Sequence, residues 1–194
     1  METMTVQEHE ARKARSYKLI LGFTMVSITM MFAGLTSAFV ISKSRGDWLK
    51  DFQLPSAFIV STFVIIACSV TFEMAKKAIR KDDRARTTAL LWITLILGLL
   101  FMYLQFYGFG QIVAEGHYFT GSESSITSTY VYVFALAHMA HLLGGIIALL
   151  IIIYNHYKQK YSSRQTVGIE LGAMYWHFLD GLWIYLFLFL NFFK

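Results

Sequence analysis

The chain has 194 residues, 56% of them hydrophobic, 16% aromatic and only 15% charged, with one Pro and one Cys. The apolar residues gather in five long runs, which excludes a soluble domain and implies an all-α, polytopic membrane protein built as a single bundle. The net charge of +5 sits at the ends of those runs, as membrane flanks do, without the basic-aromatic groove of a nucleic-acid binder.

In chain order, residues 1–17 read as a polar leader, and its Glu2, Glu8 and Glu10 argue against a mitochondrial transit peptide. Residues 18–41 form the first span, too long for the apolar core of a cleaved signal peptide and so expected to be retained. Beyond Lys18 it has no ionisable group, and Gly22, Ala33, Gly34, Ser37 and Ala38 suit the close helix contacts that replace hydrophobic drive in lipid. Pro55 is expected to open the second span, 55–80, because a proline in the first turn sacrifices no hydrogen bond. Cys68 lies inside that span and has no possible disulfide partner in the chain. Glu73 precedes Lys77 by four residues, which predicts an i, i+4 ion pair at the membrane boundary.

A basic loop leads to the third span, 87–112, where Gln105 stands among Tyr103, Phe106 and Tyr107. The following loop carries Glu115, His117 and Glu123 but no Lys or Arg. The fourth span, 127–155, holds His138 and His141; Lys158, Lys160 and Arg164 follow it. The fifth, 168–193, opens near Glu170 and contains His177 and Asp180. Each run meets the ~20 apolar residues that a bilayer crossing needs. Residues 18–194 are thus expected to form one five-helix transmembrane domain.

Charge asymmetry orients the bundle. The leader with Lys18, the second loop and the fourth loop hold four, six and three Lys or Arg, thirteen in all. The first loop, the third loop and the C-terminus hold three, none and one, four in all. The positive-inside rule then predicts a cytoplasmic N-terminus and an external C-terminus.

No Gly-rich phosphate loop, nucleophile elbow, Cys-pair zinc site, heptad or internal repeat is present. The chemistry-bearing residues reduce to His138 and His141 on span four and His177 and Asp180 on span five. Each pair is spaced i, i+3, which places its members on one side of a helix. An ionisable group deep in a bilayer costs several kcal/mol unless it faces the interior and finds a partner. Counted from the shared ends of the two antiparallel spans at 1.5 Å per residue, Asp180 and His141 fall within about one turn of each other in depth. The expectation is a structural polar network in which Asp180 meets His141 or its own neighbour His177. Three functional classes remain open on these residues: a haem- or metal-binding protein, a proton relay, and a structural subunit packed against a catalytic partner. Spans one and three lack charged stepping stones, which weighs against a relay across the whole membrane.

Trp176-His177-Phe178-Leu179-Asp180-Gly181-Leu182-Trp183, preceded by Gly168-Ile169-Glu170 and Tyr175, resembles the last-helix signature of haem-copper oxidase subunit III. Ser128-Thr129-Tyr130 with Ala137-His138-Met139-Ala140-His141-Leu142-Leu143-Gly144 resembles its penultimate helix, and Leu97-Gly98-Leu99 with Leu104-Gln105 the helix before that. Five spans resemble the short bacterial form of the family. The resemblance implies a non-catalytic subunit of a cytochrome-c or quinol oxidase in the bacterial inner membrane. Such a subunit packs beside subunit I, with subunit II and a small subunit IV nearby or within a larger respiratory supercomplex. It implies structural phospholipid in a cleft between helices and a role in supporting proton uptake and sustained turnover. Haem and copper are expected in the partner subunits, with no cofactor, metal or catalytic residue on this chain. Gln105, Glu170, Tyr175, Trp176 and Trp183 are the further family-motif positions. An accessory subunit of a nitric-oxide reductase is the alternative. Ile28 stands where many members carry a membrane-embedded Glu, which weakens any proton role for the first span.

Overall fold

A computed structural model describes residues 6–46, 48–49, 53–121, 124–162 and 165–193. Glu2, Glu123 and Arg164, named above, and Lys50 and Lys194, counted in the charge asymmetry, lie outside the described residues. Five helices account for most of what is described: α1 (Val6–Ser42), α2 (Ser56–Arg80), α3 (Arg84–Ala114), α4 (Ile126–Tyr157) and α5 (Val167–Phe192). All five are long and apolar enough to cross a membrane. Only two isolated β-bridges, both in loops, interrupt the helical pattern among the described residues.

The helix ends follow local chemistry. Asp83 caps α3 by accepting a hydrogen bond from the Arg86 amide, and Ser125 and Ser128 form a reciprocal capping box at the start of α4. Pro55 stands at the N-cap of α2, one residue before the helix and not within its first turn. The turn between α2 and α3 is tight enough to put Asp82 at a φ of 55°. α1 begins at Val6, so its helix reaches back from the first span into the polar leader. No Gly or Pro lies between Val6 and Lys18, and Ala, Arg, Glu and Lys there are good helix formers.

α2 and α3 pack along their length as a hairpin, and α4 closes against α3. α5 runs through the centre, touching α1, α2 and α4. α1 is peripheral: it packs on α5 and α4 and does not reach α2. Close approach is achieved with glycine under aromatic rings. A Cβ on Gly98 would stand 3.1 Å from the Trp176 ring, and one on Gly145 3.2 Å from Leu179. This is the small-residue packing that holds helices together where lipid is as apolar as Leu.

Candidate functional site

The residues singled out on α4 and α5 lie in the bundle but do not form the expected network. Asp180 is buried at 3% exposure, and neither carboxylate oxygen has a hydrogen-bond partner. Ser69 is the polar side chain beside it, but the Ser69 hydroxyl is engaged by His177. His138 is fully buried with both ring nitrogens unpartnered, its ring 5.2 Å from that of Trp183 and 5.9 Å from that of Phe101. His141 donates from Nδ1 to the Ala137 carbonyl of its own helix at 2.7 Å and packs on Phe32 of α1. Residues three apart on a helix differ by about 60° in azimuth, and that difference sends the members of each pair to different neighbours. His138 turns into the core while His141 turns toward α1. Asp180 turns inward while His177 turns to α2. The pairing of Asp180 with His141 or His177 is therefore not made.

His177 instead belongs to a polar cluster with α2. Its Nε2 donates to Glu73 Oε2 at 3.4 Å, which leaves Nδ1 to accept from the Ser69 hydroxyl. Glu73 pairs with Lys76, not with Lys77 as expected. An i, i+3 partner neighbours a helical residue as well as an i, i+4 partner does, and Lys76 lies on the His177 side. Sequence reasoning missed Ser69 and the Glu73–His177 contact; a Ser four residues before a Glu in an apolar run was the available signal.

Glu170 has more to hold than its position suggested. It accepts from Arg80 of α2 at 2.9 Å, from Lys18 of α1 at 3.3 Å and from Thr166 at 2.9 Å. One carboxylate thus ties three helices at their basic end. The other motif positions serve packing and register. Gln105 is buried and donates to Ser61 at 2.9 Å, Trp183 donates to Thr62 at 3.1 Å, and Tyr175 donates to the His141 carbonyl at 3.1 Å. Trp176 is buried between α2, α3 and α4 against Phe72, Gly98 and Gly145.

Two surfaces between helices follow from this packing. The first is a valley between α1 and α2, which do not touch. At 3.6 residues per turn, Glu170, His177, Gly181 and Leu188 fall within about 40° of one another on α5. Glu170 bonds to both α1 and α2, so this face is the valley floor. A Cβ on Gly181 would meet nothing within 4 Å. Along the valley, Glu73 and His177 remain 32% and 33% exposed inside transmembrane segments, a costly arrangement if lipid alone covers them. The second is an apolar groove of about 490 Å³ on the other side of α1, bounded by Ile20 and Thr24 of α1, Gly144 and Ala148 of α4, and Gly172 and Tyr175 of α5. Tyr161 stands at its basic end. Burial, outweighing a hydrogen bond from Asn155, pushes the Tyr161 phenol above its ordinary range and keeps its proton in place.

Among the described residues no three His, Cys, Asp or Glu side chains come together as a metal-ligand set. Ile28 is buried in the apolar core at 6% exposure.

A family model described as cytochrome c oxidase subunit III matches residues 1–194. Similar proteins include a cytochrome c oxidase subunit 3 of Spodoptera frugiperda, 32% identical over 139 residues, covering 72% of this chain and 88% of that one. The subunit 3 of Corynebacterium diphtheriae is 27% identical over 166 residues, 82% of this chain and 79% of its own. That of Thermostichus vulcanus is 26% identical over 167 residues, 84% and 80% of the two chains.

Proposed function

Because the chain belongs to the cytochrome c oxidase subunit III family, we propose that it is the non-catalytic subunit III of a bacterial haem-copper terminal oxidase. In this reading it lies in the inner membrane with its N-terminus in the cytoplasm and its C-terminus outside, and packs beside subunit I. It supports proton uptake and stability during turnover, while haem and copper stay in the partner subunits. The observation that carries the reading is the family match along the whole chain, joined to five helices able to cross a membrane.

The two surfaces give the proposal a spatial form. The α1–α2 valley takes a transmembrane helix of the core subunits, because Glu73 and His177, each about one-third exposed, need polar company at that depth. The apolar groove beside α1 takes phospholipid acyl chains, since its walls offer hydrocarbon almost throughout. The donors that could ligate haem or copper are separated: His138 is enclosed by Phe101 and Trp183, and His141 is turned to its own backbone.

Photo-cross-linking tests this arrangement. A photoactivatable residue replacing Gly181 is expected to capture a core oxidase subunit, and one replacing Ile151, which lines the apolar groove from α4, to capture phospholipid. Capture of lipid alone from Gly181 in the assembled complex contradicts the assigned docking face.

A further inference from the structure

The last turns of α2, the loop after it and the start of α3 carry six cations within eleven residues: Lys76, Lys77, Arg80, Lys81, Arg84 and Arg86. Four are engaged. Lys76 pairs with Glu73, Arg80 with Glu170 and Arg86 with Asp83, while Arg84 donates to the Tyr161 carbonyl. Among the described residues Lys77 and Lys81 have no acidic partner. Lys77 lies in the last turn of α2 and Lys81, four residues on, at its C-cap, and both line a cavity of about 380 Å³ together with Arg86 and Asp83.

The same cavity has an apolar side. Met74 lies just less than a turn deeper than Lys77 on α2, and Leu90 about one turn deeper than Arg86 on α3; both line it. Along the membrane normal the cavity passes from three cations, partly offset by one carboxylate, to hydrocarbon. Two unpaired ammonium groups one turn apart repel each other, and an anion between them relieves that repulsion. A free anion has no use for the Met74–Leu90 side; a molecule with an anionic head and an apolar tail uses both.

We propose that this cavity is a binding site for an anionic phospholipid, its phosphate held by Lys77, Lys81 and Arg86 and the first carbons of its chains resting on Met74 and Leu90. Basic pockets between transmembrane helices recognise such headgroups through charge. The site is separate from the groove beside α1, and the assignment rests on the membrane-spanning fold, not on the partnership proposed above.

Native mass spectrometry of the complex, purified in mild detergent, tests it. Dioleoyl-phosphatidylglycerol, dioleoyl-phosphatidylcholine or inorganic phosphate is added, and adducts retained on this subunit are counted. Wild type is expected to retain phosphatidylglycerol over phosphatidylcholine, and phosphate is expected not to displace it. Lys77→Gln with Lys81→Gln should weaken phosphatidylglycerol retention by about fivefold per removed cation, and Lys77→Arg with Lys81→Arg should preserve it. Both lysines are exposed, so these changes leave the helix packing intact. Equal retention in wild type and the glutamine variant overturns the proposal. So does equal retention of the two lipids by wild type. Full displacement by inorganic phosphate reassigns the cavity to free anions and overturns the lipid assignment.

Discussion

Removing the Glu170 carboxylate is expected to loosen α1 from the rest of the bundle. Glu170 bridges Lys18 and Arg80 and also accepts from Thr166, whereas α1 otherwise rests only on α5 and α4. A hydrogen bond to a charged group contributes about 1.5–3 kcal/mol when sheltered. Lys18 and Arg80 are 45% and 53% exposed, so each ion pair here is worth nearer 0.2–1 kcal/mol. Glu170 also lies in the first turn of α5, where a carboxylate gains about 0.3–1 kcal/mol from the helix dipole. Glu170→Ala should therefore cost about 1–3 kcal/mol in total, and Glu170→Gln less because it can still accept from Thr166. The assay is hydrogen exchange in detergent, read on peptides from the basic half of α1, together with thermal unfolding. Exchange there should rise in Glu170→Ala, while the α2–α3 hairpin stays protected. A double-mutant cycle with Arg80→Ala should return a coupling of ~1 kcal/mol or less. Unchanged α1 exchange and unfolding temperature in Glu170→Ala would refute the view of this carboxylate as the tie between three helices.

Four other outcomes follow from named contacts. Asp180→Leu and Asp180→Asn should both stay within ~1 kcal/mol of wild type in thermal unfolding, since no imidazole depends on the carboxylate; a large loss in the Leu variant alone would reveal a partner for it. His177→Ala and Glu73→Gln should show coupled, non-additive effects on stability, whereas strictly additive effects would dissolve the pair. Ile28→Glu places a carboxylate in the apolar core and should destabilise the bundle by about 2 kcal/mol or more, with carbodiimide labelling of the peptide covering residues 18–41 appearing only in that variant. A cysteine at Arg84 should be shielded from an external impermeant thiol reagent in intact cells and one at Glu115 labelled; the reverse pattern would invert the proposed orientation.

The helices were legible because each apolar run is long and uniform enough to cross a bilayer whatever its neighbours do. Boundaries at α2 to α5 fell within a few residues of the reading, as Pro55, Asp83 and Ser125 mark them. The extension of α1 back to Val6 was not legible, because polarity signals the membrane edge, not the end of a helix, and nothing between Val6 and Lys18 breaks one. Partners were the least legible part. Spacing placed His177 and Asp180 on the same side of α5, but a difference of about 60° decides whether a side chain meets α2 or the core. The sequence likewise offered Glu73 two lysines, and only the packing of α5 against α2 favours the one beside His177. Glu170 was visible as a residue at the start of a span, but its link to Lys18 and Arg80 joins positions 152 and 90 residues away, beyond any local pattern.

As proposed above, this chain is an integral part of a haem-copper oxidase. Purifying it from its native membrane through an affinity tag, in a detergent mild enough to keep subunits together, tests this membership. The expected result is stoichiometric recovery of a subunit I whose reduced-minus-oxidised spectrum shows haem and whose metal content includes copper. Recovery of the chain alone, or with an assembly lacking an oxygen-reducing subunit I, would contradict it.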